Sequence, residues 1–238
     1  MSKIQETPPK LLPARVSLAD GVYEIILSWL IDGTSPAGSP LNIDALARQL
    51  AVSQTPVREA LARLEATGLV SRAALKGYRV APLFTDRELA DLMDARAVIE
   101  PANAFLACER ATAKLVGQLE TSVVDLDASA RQPDSSDFRR YREADERFHN
   151  LIASHTDNRF LKSAYDALGG HLQRFRLFGE LGITDAAHAI AEHTEILTAF
   201  EAGAPDAARA AMATHIANVK TRAHSDRQAV SARDTAER

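Results

Sequence analysis

Four residues in the C-terminal half have the types and spacing of a metal site. Residues 136–155 have helical periodicity, and at about 100° per residue Asp145 and His149 fall on the apolar stripe of that helix. His193 lies within the apolar stripe of the next-to-last predicted helix, and His215 within that of the last. One inward carboxylate with three inward imidazoles suits a first-row metal ion, so we predict zinc there, with nickel, manganese or iron as alternatives.

Each of these histidines, taken alone, has a simpler interpretation as a core histidine bonded to a neighbour. His171 also lies on an apolar stripe and competes for a place near the site. His188 is predicted to face solvent, whereas His155 and His224 lie near helix ends and are predicted to be structural or surface residues. The coincidence of four inward ligands favours the metal site.

An Asp/His₃ site with an open position can activate water, so a metal-dependent enzyme is one hypothesis for the function. The sequence lacks a His-Glu-x-x-His arrangement around His149 or His193, which weakens that hypothesis. A helical module that binds another protein is a second alternative. A regulator that binds DNA is the third hypothesis, and the first third of the chain favours it.

The elements that must position these residues are mainly helical. Residues 17–31 form a predicted helix, residues 43–50 and 55–67 have helix-turn-helix spacing, and 69–70 with 78–80 bracket a turn as a small β-hairpin, the wing. The sequence therefore predicts a mainly α fold, in which an N-terminal winged helix-turn-helix precedes an all-α helical bundle. After Pro82 the predicted helices span about 85–110, 112–130, 136–155, 158–179, 184–202 and 205–223.

The second helix of the helix-turn-helix carries side chains suited to a major groove. Gln54, Thr55 and Arg58 lie at its N-terminal end, and an arginine there can bond guanine through two hydrogen bonds. Other basic side chains nearby suit phosphates. The predicted phosphate contacts are Arg48, Arg63, Lys76 and Arg79.

Charge and cysteine usage agree with this division. The net charge is −4, but residues 1–82 carry +2 and the remainder −6, so only the first third has a sign compatible with DNA. A single cysteine excludes an intramolecular disulfide framework and fits a reducing compartment. With no signal peptide or membrane-spanning run in the sequence, we expect a cytoplasmic protein.

The run SQTPVREALARLEATGLV and the later KGYRVAP resemble the N-terminal domain of GntR-family regulators over residues 15–83. Gln54 stands where that family usually has arginine, so its operator preference is expected to differ. The resemblance implies a homodimeric regulator, expected to be a repressor and not an enzyme, that binds a short palindrome of double-stranded DNA. Residues 1–14 are predicted to be a flexible tail.

The pieces DARAVIEPANAFLA, DERFHNLI, EHTEIL and HI resemble the FadR-type (FCD) effector domain in its metal-binding subgroup, which implies a domain over residues 84–225 and a tail over 226–238. The family's metal ligands match Asp145, His149, His193 and His215. The resemblance also implies a small carboxylate effector above the metal. Arg96 matches a family arginine that faces the pocket, with a salt bridge to Glu100 as the alternative, and the other candidate effector contacts are His171 and Arg174.

Overall fold

The computed structural model describes residues 17–31, 34–73, 77–82, 84–130, 135–177 and 186–236. The predicted tail over 1–14 and the predicted phosphate contact Lys76 lie outside these residues. The described part is mainly α-helical with one small sheet, which confirms the predicted fold class. None of the described helices has the length and hydropathy of a transmembrane segment.

The described residues of the N-terminal unit form three helices: α1 (Leu18–Ile31), α2 (Ile43–Gln49) and α3 (Gln54–Ala66). The Asn42 side chain caps α2 by accepting from the Ala45 backbone N–H at 3.0 Å. Pro56 lies in the first turn of α3, where its missing N–H costs nothing. A fully buried apolar core joins α1 to α3 and so fixes the orientation of α3. Its central side chains are Ile26, Leu30, Val57, Leu61 and Leu64.

A three-stranded antiparallel sheet packs beside these helices, with the order β1-β3-β2. Its strands are β1 (Pro40–Leu41), β2 (Val70–Ala73) and β3 (Gly77–Val80), and Val70 pairs with Val80. The hairpin of β2 and β3 is the predicted wing. Strand β1 is absent from the prediction because two residues in a Pro/Gly/Ser loop cannot display an alternating pattern.

The described residues of the C-terminal unit form six helices, and a capping box opens the first of them. The Thr85 side chain accepts from the Glu88 backbone N–H, and the Glu88 carboxylate accepts from the Thr85 backbone N–H. The most extensive helix packing in this unit joins α4 to α9 and α5 to α6. The helices are α4 (Asp86–Glu109), α5 (Ala113–Ala130), α6 (Ser135–Ser154), α7 (Arg159–Leu177), α8 (Ala186–Glu201) and α9 (Pro205–Ala236).

Helix α9 differs from the sequence expectation at its C-terminal end. The sequence predicts that the last helix ends near residue 223, but α9 continues to Ala236. The flexibility of the tail over 226–238 stays a prediction. The predicted end of the helix relied on a loss of apolar periodicity. The segment 223–236 contains no glycine or proline that would end a helix, so polar composition alone was an insufficient stop signal.

Candidate metal centre and nucleic-acid interface

Three imidazoles from three helices meet in the core of the C-terminal unit. His149 comes from α6, His193 from α8 and His215 from α9, and one ligand atom of each lies within 4.8 Å of the others. All three residues are at most 2% exposed. Phe148 packs edge-on against His193, with ring centroids 4.7 Å apart. The cluster is therefore enclosed by protein, as the inward periodicity of the three helices predicts.

The two nitrogens of each ring have different surroundings. His149 Nδ1 lies 2.6 Å from Glu100 Oε2, His193 Nδ1 lies 2.6 Å from the Ala189 carbonyl, and His215 Nδ1 lies 2.8 Å from Glu192 Oε2. Such contacts favour the tautomer with hydrogen on Nδ1, which leaves the Nε2 lone pair available. Among the described residues, none of the three Nε2 atoms has a hydrogen-bond partner.

Asp145 brings the fourth predicted donor to the cluster. Its Oδ1 lies 3.2 Å from His193 Nε2 and 3.7 Å from His149 Nε2, and its side chain is 15% exposed. The structure thus brings all four predicted residues together. Three neutral imidazoles and one carboxylate fit a divalent first-row metal ion, and their orphaned Nε2 atoms are what such an ion would satisfy.

A buried ion pair supports the His149 side of the cluster. Arg96 Nε donates to Glu100 Oε1 at 2.5 Å, and both side chains are 2% exposed. Burial by itself would raise the pKa of Glu100, but the Arg96 charge and the contact with His149 outweigh it and hold that pKa far below its usual range. The salt bridge from Arg96 to Glu100, which the sequence offered as the alternative role for Arg96, is therefore present. It places Arg96 next to the cluster.

A second ion pair supports the His215 side. The Arg222 guanidinium donates to both oxygens of Glu192, at 2.7 and 2.9 Å, and Asn218 Nδ2 donates to the same carboxylate at 2.8 Å. These bonds and the one from His215 outweigh burial and lower the pKa of Glu192. Burial in turn lowers the pKa of His215 to about 3, in spite of Glu192, so this imidazole stays neutral and able to bind a metal.

Sequence reasoning missed the roles of Glu100 and Glu192. Both had a signal: Glu100 lies one turn after Arg96 on the buried face of α4, and Glu192 directly precedes His193. Neither signal tells which histidine each carboxylate contacts, because that depends on how α4, α6, α8 and α9 dock. Arg142, which is buried one turn before Asp145 on α6, was also missed.

His171, the second candidate effector residue, does not join the cluster. His171 is exposed, and its Cε1 lies 3.1 Å from where a Cβ on Gly68 would stand, with the Phe84 ring centroid 6.2 Å from its own. It therefore lies at the junction of the two units. Arg174 falls on α7, but its side chain is outside the described part of the structure.

The N-terminal end of α3 is exposed, as a DNA-reading helix requires. Gln54, Thr55 and Arg58 are all exposed. Gln54 Nε2 donates to Asp44 Oδ1 at 2.5 Å, and Arg58 Nη2 donates to Gln54 Oε1 at 2.9 Å. Gln54 thus connects α2 to Arg58, an arrangement that an arginine at this position could not make because arginine has no acceptor.

The candidate phosphate contacts have varied environments. Arg48 is exposed on α2. Arg79 Nη1 donates to the Gly38 carbonyl at 3.0 Å. Arg63 donates to Asp20 at 2.6 Å, and its guanidinium lies 4.3 Å from the centroid of the Tyr23 ring. Arg63 is thus engaged with α1 inside the N-terminal unit, and its predicted phosphate contact would require this pair to open.

A winged helix-turn-helix with an exposed recognition helix is the arrangement of transcription regulators that bind DNA. In this chain a helical domain with a buried histidine cluster follows it. Residues 18–80 match the bacterial regulatory proteins of the gntR family, and residues 91–218 match the FCD domain. The chain belongs to the GntR family of transcriptional regulators, with an FCD domain after its DNA-binding domain. This family consists of regulators, so the enzyme hypothesis has no support.

Three curated relatives of the chain are named as transcriptional repressors. The chain is 29% identical over 208 residues to the "Probable D-xylose utilization operon transcriptional repressor" of Paenarthrobacter nicotinovorans, covering 85% of this chain and 87% of that one. It is 30% identical over 171 residues to the repressor GlaR of Escherichia coli, covering 68% and 73%. It is 28% identical over 211 residues to the galactonate operon repressor of the same bacterium, covering 79% and 89%.

Solved structures show the same fold. A GntR transcriptional regulator from Rhodococcus sp. RHA1 has a TM-score of 0.72 at 20% identity and covers 87% of this chain and 97% of its own. Escherichia coli McbR/YncC has a TM-score of 0.69 at 22% identity, with 89% and 99% covered. At this identity the likeness concerns the fold.

Proposed function

We propose that this chain is a cytoplasmic, homodimeric repressor whose affinity for operator DNA is controlled by a small anion bound at a metal ion in the FCD domain. The observation that carries the proposal is the convergence of three buried imidazoles beside Asp145, with their Nδ1 atoms in contact with Glu100, the Ala189 carbonyl and Glu192. In the proposed centre, Asp145, His149, His193 and His215 hold a divalent ion, zinc first among the candidates. The ion would supply a Lewis-acidic anchor for the effector.

The charges around the cluster support an anionic effector, which we take to be a small carboxylate. The Arg96–Glu100 and Arg222–Glu192 pairs are each neutral as a whole, so a divalent ion held by Asp145 and neutral imidazoles would carry net positive charge.

Arg96 is the candidate effector residue that lies next to the cluster, through Glu100 and its contact with His149. Its Nη1 lies 4.0 Å from the Met93 thioether sulfur, which is a weak hydrogen-bond acceptor. A carboxylate oxygen in place of that sulfur would accept a stronger, charge-assisted hydrogen bond from Arg96. His171 is better suited to transmit a change between the two units than to contact a ligand at the metal. Arg174 keeps its predicted role as a weaker candidate.

On the DNA side, Arg58 and its neighbours on α3 would enter the major groove, and two copies of the chain would present two such helices to a short palindrome. The effector must bind two arrangements of the dimer unequally if it is to change operator affinity.

The test combines metal analysis with a gel shift. The chain purified without chelator is measured for zinc, nickel, manganese and iron, and is then titrated onto the DNA upstream of its own gene in the presence of competitor DNA. We expect about one metal ion per chain and a specific shift that changes when the metal is removed. A chain that binds this DNA equally well with and without metal would contradict the metal dependence, and absence of any specific shift would contradict the regulatory role at that site.

A further inference from the structure

Asn103 is a buried amide that the described residues leave without a hydrogen bond. It is 1% exposed, and neither its Nδ2 nor its Oδ1 has a partner among the side chains and backbone groups that the structure describes. The neighbouring polar groups on the same helix, Arg96 and Glu100, are paired with each other. Buried polar groups are nearly always satisfied, so an amide with two orphaned atoms indicates a partner from outside the chain.

The position of Asn103 on α4 places it on the helix face that supports the histidine cluster. It lies three residues after Glu100 and seven after Arg96, so the three residues share one face of the helix. Glu100 on that face contacts His149. One turn further along, Ala107 belongs to the apolar cluster that also contains Phe148, whose ring packs on His193. Asn103 therefore lies between the ion pair that supports the cluster and the apolar layer that encloses it.

The chemistry of the amide restricts what can satisfy it. Nδ2 donates and Oδ1 accepts, whereas a carboxylate only accepts and so leaves Oδ1 unsatisfied. A hydroxyl group both donates and accepts. We infer that Asn103 is a specificity-determining residue that reads a hydroxyl group of the effector, so that the effector is a hydroxy acid and not a plain alkyl carboxylate. This inference rests on the proposed function, because it needs an effector held at the metal centre.

The experiment compares acids that differ by hydroxyl groups. The zinc-loaded full-length chain is titrated calorimetrically with lactate and propionate, malate and succinate, and gluconate and hexanoate. In at least one pair we expect the hydroxy acid to bind roughly 10-fold or more tightly than its deoxy partner, because an unpaired buried amide penalises the analogue. Asn103→Leu should abolish that preference while zinc content stays at the wild-type value. Asn150→Leu, at an exposed asparagine of α6, is the matched control and should retain the preference.

The variants separate this role from two others. A preference that survives in Asn103→Leu would mean that the metal alone reads the hydroxyl, and would overturn the assignment. Equal affinities within every pair for the wild-type chain, or no binding of any acid, would overturn it as well, and in that case Asn103 holds only a buried water. The failure of the proposed function is distinct, because it would appear as absence of bound metal or of a metal-dependent operator shift.

Discussion

The DNA-reading face and the candidate metal centre position their charged side chains in opposite ways. The reading face is exposed and local: Asp44, Gln54 and Arg58 lie within two adjacent helices and bond one another at the surface. The candidate metal centre is buried and distributed, since its groups come from α4, α6, α8 and α9. A change at the reading face should therefore affect binding alone, whereas a change at the metal centre should affect binding and stability together.

Removing one imidazole gives the largest expected effect. His193→Ala should lower zinc affinity by more than the roughly 10- to 100-fold that loss of an outer contact costs, because the ligand itself is lost. The ring is fully buried against Phe148, so its loss should also destabilise the metal-free chain by about 1–3 kcal/mol. Elemental analysis and thermal unfolding in chelator measure the two effects separately.

The exposed His188 on the same helix provides the control, and His188→Ala should leave both quantities unchanged. Wild-type metal stoichiometry in His193→Ala would remove that residue from the site.

Loss of the Glu192 carboxylate, which contacts His215 and is not itself a predicted metal ligand, should lower zinc affinity by less than loss of an imidazole. Glu192→Gln keeps the shape and an acceptor for His215, but it removes the charge that orients this ring and pairs with Arg222. We expect zinc affinity to fall about 10-fold or more by competition against a chelating dye. Glu195→Gln, on the exposed side of α8, should have no effect. Equal affinities in the two variants would show that Glu192 does not support the metal ligand.

On the reading face, Arg58→Ala should weaken specific operator binding by about 1–3 kcal/mol with no change in unfolding temperature. The side chain is exposed and contributes little to the fold. Fluorescence anisotropy against operator and scrambled DNA measures the effect, with Arg87→Ala, at an exposed side chain of α4, as the control. Unchanged operator affinity would refute the role of Arg58. A large drop in unfolding temperature would contradict the expectation that a change at the reading face affects DNA binding alone.

The smallest effect tests the junction between the units. Gly68 and Gly38 both have positive φ, 73° and 77°, so alanine at either position should cost about 1 kcal/mol in backbone strain. A Cβ at Gly68 would also stand 3.1 Å from His171 Cε1, whereas nothing lies within 4 Å at Gly38. Gly68→Ala should therefore be the more destabilising by calorimetry, and adding His171→Ala should remove the difference. Equal unfolding temperatures for the two single variants would contradict the contact.

Helical periodicity predicted which side chains of a single helix face the core. It could not predict which side chains of different helices pair with one another. The inward placement of His149, His193 and His215 follows from the 3.6-residue repeat, and the reading helix follows from a contiguous motif. The pairing of Glu192 with His215 and of Arg63 with Asp20 does not, because each joins residues on different elements. The two-residue strand β1 is too short to have a pattern, and the end of α9 had no stop signal.

The wide separation of the histidines along the chain has a consequence for assembly. His149 and His215 lie on either side of α7 and α8, so a metal ion that binds both would close a long loop of the chain, as a disulfide does. Metal capture would then complete the folding of the C-terminal unit, because the ligands come together only after α6, α8 and α9 have docked. The ion would act as a cross-link as well as an anchor for the effector.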